Sequence, residues 1–109
     1  MNELAAKKCK PCEGGVPPLG AAEARAILAR LDGWAIEDGR LVKVYHFRNY
    51  HETMAFVNAL AWISHREDHH PDLQVGYDRC RVTYLTHALG GLSENDFICA
   101  AKCDALFGL

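Results

Sequence analysis

The sequence lacks the features that mark membrane-spanning and exported proteins. It has no run of about 18 consecutive apolar residues, the length that a membrane-spanning helix needs. Its first residues, MNELAAKKCKPC, carry charges where a signal peptide has its apolar stretch. We therefore expect a cytoplasmic protein with no membrane partner.

An excess of basic residues is also missing. Lysine and arginine number 12 against 14 acidic residues, and the formal net charge is -2. Such a chain lacks the positive field that draws proteins to phosphate backbones. Direct binding of nucleic acid is therefore not expected.

The cysteines do not form the even set that a disulfide framework needs, and they are better interpreted as free thiols. There are five of them: Cys9, Cys12, Cys80, Cys99 and Cys103. Cys9 and Cys12 form a single CxxC motif, which could be half of a zinc site or a redox pair. Because no second CxxC follows, a pair of exposed thiols in a flexible arm is the simpler interpretation.

The length of 109 residues and the ordinary share of hydrophobic residues, 50%, predict one folded domain. Glycine and proline in CEGGVPPLG interrupt any regular element, so we expect residues 1–20 to form an N-terminal arm that contains the CxxC motif. This arm should be dispensable for folding and activity. Residues 21–109 are expected to form the domain.

Hydrophobic periodicity predicts the elements of that domain. Apolar residues recur at helical spacing over 21–31, and alternation around Asp38-Gly39 predicts a β-hairpin. A long helix, capped at Asn49, should run to about Asp68, and a second hairpin follows Pro71. A last helix begins at Ser93.

The resulting order is α-β-β-α-β-β-α, which indicates an α+β fold. We expect a two-layer α/β sandwich, with a four-stranded antiparallel sheet and helices on one face. The long helix is apolar on more than one side, and each hairpin leaves an edge strand. Both features predict a homodimer or homotetramer.

Histidines are the candidate functional residues, because imidazole exchanges protons near neutral pH. The stretch REDHHPDLQVGYDRCRVTYLTH contains His69, His70 and His87, which could serve one cleft. A simpler interpretation makes His65 and His69 residues of a helix C-terminus and His87 a surface residue at a strand end. Asp96, three residues after Ser93, could likewise be only a capping partner. A metal site is a third interpretation, because His65 and His69 at i, i+4 would share one helical face.

The chain contains the spaced pattern His65-x3-His69-His70-Pro71-x5-Tyr77-x9-His87-x8-Asp96. This pattern resembles the signature of the pterin-4a-carbinolamine dehydratases, a family also known as dimerisation cofactors of a homeodomain transcription factor. The segments DGW, RLVKVYHF, NYHETMAFVNALA and GLSENDFICAAKCDAL are similar to the family as well, so the resemblance covers roughly residues 20–109. Some members have glutamate at the position of His65, and the CxxC motif is not part of the signature.

This resemblance implies dehydration of 4a-hydroxytetrahydrobiopterin, or a related pterin-4a-carbinolamine, to quinonoid dihydropterin. The reaction would recycle pterin for an aromatic amino-acid hydroxylase, which is a candidate partner. One acid and one base suffice, so no metal or redox cofactor is required. The alternatives are a protein-binding module and a helper in molybdopterin-type cofactor metabolism.

The resemblance also implies a set of site residues. His69, His70 and His87 would be catalytic, the first and last as the acid/base pair and His70 as the residue that holds the pterin. Asp96 would orient a histidine or favour its cation. The remaining signature positions, which would support the substrate site, are Pro71, Tyr77 and His65.

Overall fold

The predicted order of helices and strands is present in the computed structural model, which describes residues 3–11 and 17–108. One short helix precedes that order, and a 3-10 turn at His87–Leu89 follows the last strand. The helices are α1 (Glu3–Ala6), α2 (Ala21–Leu28), α3 (Tyr50–Glu67) and α4 (Glu94–Phe107). The strands are β1 (Ala35–Glu37), β2 (Arg40–His46), β3 (Asp72–Val75) and β4 (Arg79–Tyr84).

The four strands form one antiparallel sheet in the order β1-β2-β4-β3. The predicted α+β fold is therefore confirmed. Asp38 and Gly39 both have positive φ, 50° and 74°, as the tight turn of the first hairpin requires. In the second hairpin Asp72 pairs with Thr83, so the start of β3 lies beside the end of β4.

The long helix α3 begins and ends with recognisable caps. The Asn49 side chain accepts the Glu52 backbone N–H at 2.9 Å, as the sequence predicts. Thr53, Phe56 and Leu60 are its buried residues, whereas Trp62 on the outer side is 60% exposed. The helix thus has one buried face, and its outer side exposes the large apolar side chain of Trp62. No helix in the described part of the chain has the length and hydrophobicity that crossing a membrane would need.

Helix α4 forms the centre of the core. Val82 and Tyr84 of β4 pack in the same buried cluster as α4. Burial of both its apolar and its polar residues means that other elements cover it on several sides. Its buried residues are Asn95, Asp96, Phe97, Ile98, Cys99, Ala100, Ala101 and Cys103.

The N-terminal segment contributes to this cover. Leu4 is fully buried in the core cluster, and the Lys102 ammonium donates to the Ala5 carbonyl at 2.8 Å. Lys7 forms an ion pair with Glu94 at 3.1 Å. Burial of a leucine contributes about 2 kcal/mol or more, so we revise the expectation that folding does not need this segment. The second cysteine of the CxxC motif, Cys12, lies outside the described residues.

Candidate active site

A cavity of about 450 Å³ lies at the end of the sheet where β3 begins and β4 ends. Because the two strands are antiparallel neighbours, the residues just before β3 and just after β4 meet at this end. The chain therefore brings the histidine pair and the third histidine together across 18 positions of sequence. We call this space the histidine cavity; its lining includes Lys8, Cys9, Lys10, Pro11, Arg66, Glu67, Asp68, His69, His70, Leu85, Thr86, His87, Ala88 and Asn95.

His69 forms an inner wall of the histidine cavity because of the way α3 ends. Asp68 adopts a left-handed conformation, φ 50° and ψ 43°. Its N–H donates to the His65 carbonyl, and the His69 N–H donates to the Ser64 carbonyl, a Schellman arrangement. The chain then turns inward, and the His69 ring lies parallel to the buried Tyr84 ring with 5.9 Å between centroids. Its side chain is only 11% exposed.

The Asp96 carboxylate holds the His69 ring from the buried side. Its side chain is fully buried, and its Oδ1 lies 2.6 Å from His69 Nε2. Its Oδ2 accepts the Thr86 hydroxyl at 2.8 Å and the Ser93 N–H at 2.9 Å. An ionised carboxylate only accepts hydrogen bonds, so Nε2 of His69 must carry the proton in this contact. The other ring nitrogen, Nδ1, is left to take up or release a proton.

Asp96 is therefore both a helix cap and a partner of a histidine. It occupies the third position of α4, where it completes a capping box with Ser93. The sequence left open whether Asp96 is a capping partner or a partner of a histidine. Both apply, because Oδ2 accepts the Ser93 N–H and Oδ1 contacts His69. Its catalytic role stays a prediction.

His70 and His87 lie nearer the mouth of the histidine cavity. Both are exposed, and their ring centroids are 6.4 Å apart with 27° between the ring planes. His70 belongs to the turn that leads into β3, and His87 begins the 3-10 turn after β4. One inner and two outer histidines thus line the same space.

Three other signature positions lie outside the lining of this cavity. Tyr77 is 65% exposed in the turn at the opposite end of the second hairpin, where its carbonyl accepts the Thr53 hydroxyl. His65 is exposed and packs against Trp62, with 5.6 Å between ring centroids. Pro71 is half-buried beside His70. Of the three, Pro71 contacts a residue of the cavity, because its carbonyl oxygen lies 3.5 Å from His70 Nδ1. The predicted support of the substrate by these residues stays a prediction.

The premise of the metal interpretation is wrong. Helix α3 ends at Glu67, so His69 is not on the same helical face as His65. Among residues 3–11 and 17–108, no group of three or more histidine, cysteine or acidic side chains is placed to hold a metal ion.

Sequence reasoning missed the wall that the N-terminal segment provides. The Cys9 N–H donates to Glu67 Oε1 at 2.8 Å. Lys10 and Asn95 exchange two bonds: the Lys10 N–H donates to Oδ1 at 3.0 Å, and Nδ2 donates to the Lys10 carbonyl at 2.6 Å. These bonds hold the segment against the end of α3 and the start of α4. Its charged, proline-broken sequence has no periodicity that predicts such docking.

Thr86 was missed for a different reason. Its hydroxyl bonds both the Asp96 carboxylate and the Ser93 hydroxyl, the latter at 2.7 Å, and the residue is buried. A single threonine carries little signal of its own. Its place directly before His87 was the one available indication.

Comparisons with known proteins agree on one family. The family model described as pterin 4 alpha carbinolamine dehydratase matches residues 17–106. A Nitrosomonas europaea protein named "putative pterin-4-alpha-carbinolamine dehydratase" is 64% identical over 106 residues, which are 96% of this chain and 94% of that protein.

Two solved structures are similar as well. A Brucella melitensis protein described as a transcriptional coactivator/pterin dehydratase superposes with a TM-score of 0.79 and 30% identity, covering 82% of this chain and 97% of that chain. A pterin dehydratase-like protein identified as a RuBisCO assembly factor in the alpha-carboxysome has a TM-score of 0.58 and 32% identity, covering 69% and 87%.

Proposed function

The chain belongs to the pterin-4-alpha-carbinolamine dehydratase family, and from this premise we propose that it dehydrates a 4a-hydroxytetrahydropterin to the quinonoid dihydropterin. The substrate we propose is 4a-hydroxytetrahydrobiopterin or a close analogue, in a pathway that recycles pterin for an aromatic amino-acid hydroxylase. The observation that carries the proposal is the pairing of His69 with the buried Asp96 in a cavity that two further histidines line.

The reaction is an elimination of water. The C4a–O bond breaks, and the departing oxygen takes a proton from an acid and leaves as water. The N5–H bond gives its proton to a base, and its electron pair forms the N5=C4a double bond. The pterin is neither oxidised nor reduced, so one acid and one base account for every atom.

His69 is the proposed base. When its Nδ1 takes the N5 proton, the ring becomes a cation whose Nε2–H already points at the Asp96 carboxylate. A carboxylate that holds an imidazole in one tautomer and stabilises its cation has the same role in serine-protease triads. The contact with Tyr84 fixes the ring plane in addition.

His87 is the proposed acid, and His70 is proposed to hold the pterin. Their rings lie side by side at the mouth, where both can exchange protons with water. An exposed acid is readily reprotonated after each turnover, and the water that forms can leave by the same opening. The walls at Cys9 and Lys10 would complete the site for the bound ring.

The test is a stopped assay with synthetic 4a-hydroxytetrahydropterin, in which the ultraviolet change is followed with and without protein. We expect acceleration by the parent protein, and a loss of about 10²–10⁴-fold in the His69→Ala variant. His51→Ala is the matched control, because His51 is exposed on α3 outside the cavity lining. No acceleration by the parent protein would remove the enzyme hypothesis.

A protein-binding module is the second candidate. It is favoured by the exposed apolar side of α3 around Trp62 and by the solved relative described as a RuBisCO assembly factor. A scaffold would tolerate alanine at His69 and Asp96 in its binding assay, whereas the enzyme would not tolerate either change. The same two variants therefore separate the candidates.

A further inference from the structure

Two cysteine sulfurs meet behind the N-terminal wall of the histidine cavity. Cys9 Sγ lies 3.5 Å from Cys99 Sγ, and either sulfur can donate in this contact. Cys9 is half-buried and lines the cavity, whereas Cys99 is fully buried in α4. The proposed dehydration uses neither thiol.

The contact needs little movement to become a covalent bond. A disulfide has sulfurs about 2.05 Å apart, so the two atoms must approach by roughly 1.5 Å. Cys9 belongs to a segment outside helices and strands, and can shift while α4 stays in place. Of the other described cysteines, Cys103 contacts the Tyr84 hydroxyl at 3.3 Å, and Cys80 is buried in β4.

We propose that Cys9 and Cys99 form an oxidation site, at which a hydroperoxide converts the two thiols to a disulfide that locks the N-terminal segment onto α4. Cys9 reacts first, since the oxidant reaches it through the cavity. Its thiolate attacks the terminal peroxide oxygen and the O–O bond breaks; the other oxygen takes a proton and leaves as water from hydrogen peroxide, or as an alcohol from an organic hydroperoxide. The sulfur of Cys99 then attacks the sulfur of the Cys9 sulfenic acid, the S–O bond breaks, and the departing hydroxyl takes the Cys99 thiol proton and leaves as water.

The order of the two steps follows from the surroundings of each sulfur. The hydrogen bond with Cys9 and burial raise the pKa of the Cys99 thiol. Cys99 thus remains protonated and shielded until a sulfenic acid forms beside it. The thiolate is the reactive form of cysteine, and the half-buried Cys9 is the one of the two that lines the cavity, so Cys9 is oxidised first.

The disulfide would fix one wall of the histidine cavity. Cys99 lies one helical turn after Asp96, and the neighbouring Lys10 already bonds Asn95. A link from residue 9 to residue 99 would also close most of the chain into one loop, which restricts the unfolded state. Oxidation would therefore preserve the wall under conditions that otherwise release it.

The test uses the full chain treated with hydrogen peroxide, followed by peptide mass mapping without reduction. We expect a Cys9–Cys99 crosslink in the parent protein and in the Cys12→Ser and Cys80→Ala variants, and its absence in Cys9→Ser. A Cys9–Cys12 disulfide in place of this crosslink would overturn the proposal. So would the absence of any crosslink in Cys12→Ser.

A second measurement tests the locking itself. Oxidation should raise the thermal midpoint by roughly 10 °C or more and slow hydrogen exchange at the Cys9 and Lys10 amides, and dithiothreitol should reverse both. Cys9→Ser should show neither change. Equal midpoints before and after oxidation of a crosslinked parent protein would refute the lock.

Discussion

Replacing Asp96 by asparagine should abolish most turnover and leave most of the fold intact. Asparagine has the same shape and keeps one oxygen, which can still accept the Ser93 N–H and the Thr86 hydroxyl. Its amide group then faces His69 Nε2, where a donor replaces an acceptor. The imidazole must shift its proton to Nδ1 to accept from that amide. His69 in this tautomer cannot act as the base.

The two effects differ in size. Replacing one charge-assisted hydrogen bond in a buried network by a neutral one should lower the free energy of unfolding by about 1–1.5 kcal/mol. The loss of turnover should be much larger. The same carboxylate-to-amide change in a serine-protease triad reduces kcat about 10⁴-fold, and we expect about 10²–10⁴-fold for Asp96→Asn.

The matched control is Asp104→Asn. Asp104 is a second carboxylate on α4 and accepts from Trp34 Nε1, Lys43 Nζ and the Tyr45 hydroxyl. It lies outside the lining of the histidine cavity. Its substitution should cost stability and leave turnover near the parent rate. Urea denaturation and the stopped pterin assay measure the two quantities on the same samples.

A double-mutant cycle decides whether Asp96 acts through His69. If it does, Asp96→Asn should change turnover by less than about threefold when His69 is already alanine, because groups that act as a unit are not additive. A full 10²-fold loss in that background would refute the reasoning. It would assign the carboxylate a separate role in binding or folding.

Four further predictions address the rest of the molecule. His69→Ala and His87→Ala should each reduce kcat about 10²–10⁴-fold, and the loss in the double variant should be much smaller than the product of the two single losses. His70→Ala should mainly raise KM. Near-parent rates in both single variants would contradict the acid/base roles. Leu4→Ala should lower the free energy of unfolding by about 2–5 kcal/mol in urea, whereas the exposed Lys8→Ala should change it by less than about 0.5 kcal/mol. Turnover should survive prolonged chelation, and restoration by zinc after a loss would contradict this. Sedimentation equilibrium should find dimers or tetramers at micromolar concentration, and a clean monomer would leave the exposed side of α3 unexplained.

The elements that depend on local chemistry were predictable from the sequence. Asp38-Gly39 adopts the positive φ values that a two-residue hairpin needs, and Asn49 caps α3 as expected. That His70 and His87 lie close together was also predictable, because they stand just before and just after the second predicted hairpin. An antiparallel hairpin must bring its first and last residues together, whatever the rest of the fold does.

The parts that depend on packing between distant segments were not predictable. Leu4 is the one large apolar residue in the stretch ELAAKK, and packing against α4 makes it a core residue. The direction of His69 depends on the left-handed Asp68, a conformation that aspartate adopts in only some helix ends. The metal interpretation assumed helical geometry as far as His69, two residues beyond the end of α3 at Glu67, and this assumption placed His65 and His69 on one face.

The surroundings of Asp96 fit its proposed role, in which a fully buried carboxylate has a partner that gains and loses a proton. Burying an unpaired charge is costly, so this carboxylate needs partners that remain when His69 changes charge. The Ser93 N–H, the Thr86 hydroxyl and the N-terminal turn of α4 are such partners, since none of them changes charge in the neutral range. With His69 neutral they stabilise the carboxylate, and with His69 protonated the pair has no net charge. The capping position of Asp96 would therefore let His69 gain and lose a proton without loss of the fold. We predict that Thr86→Val impairs both stability and turnover, because it removes one of these partners, although threonine itself moves no proton.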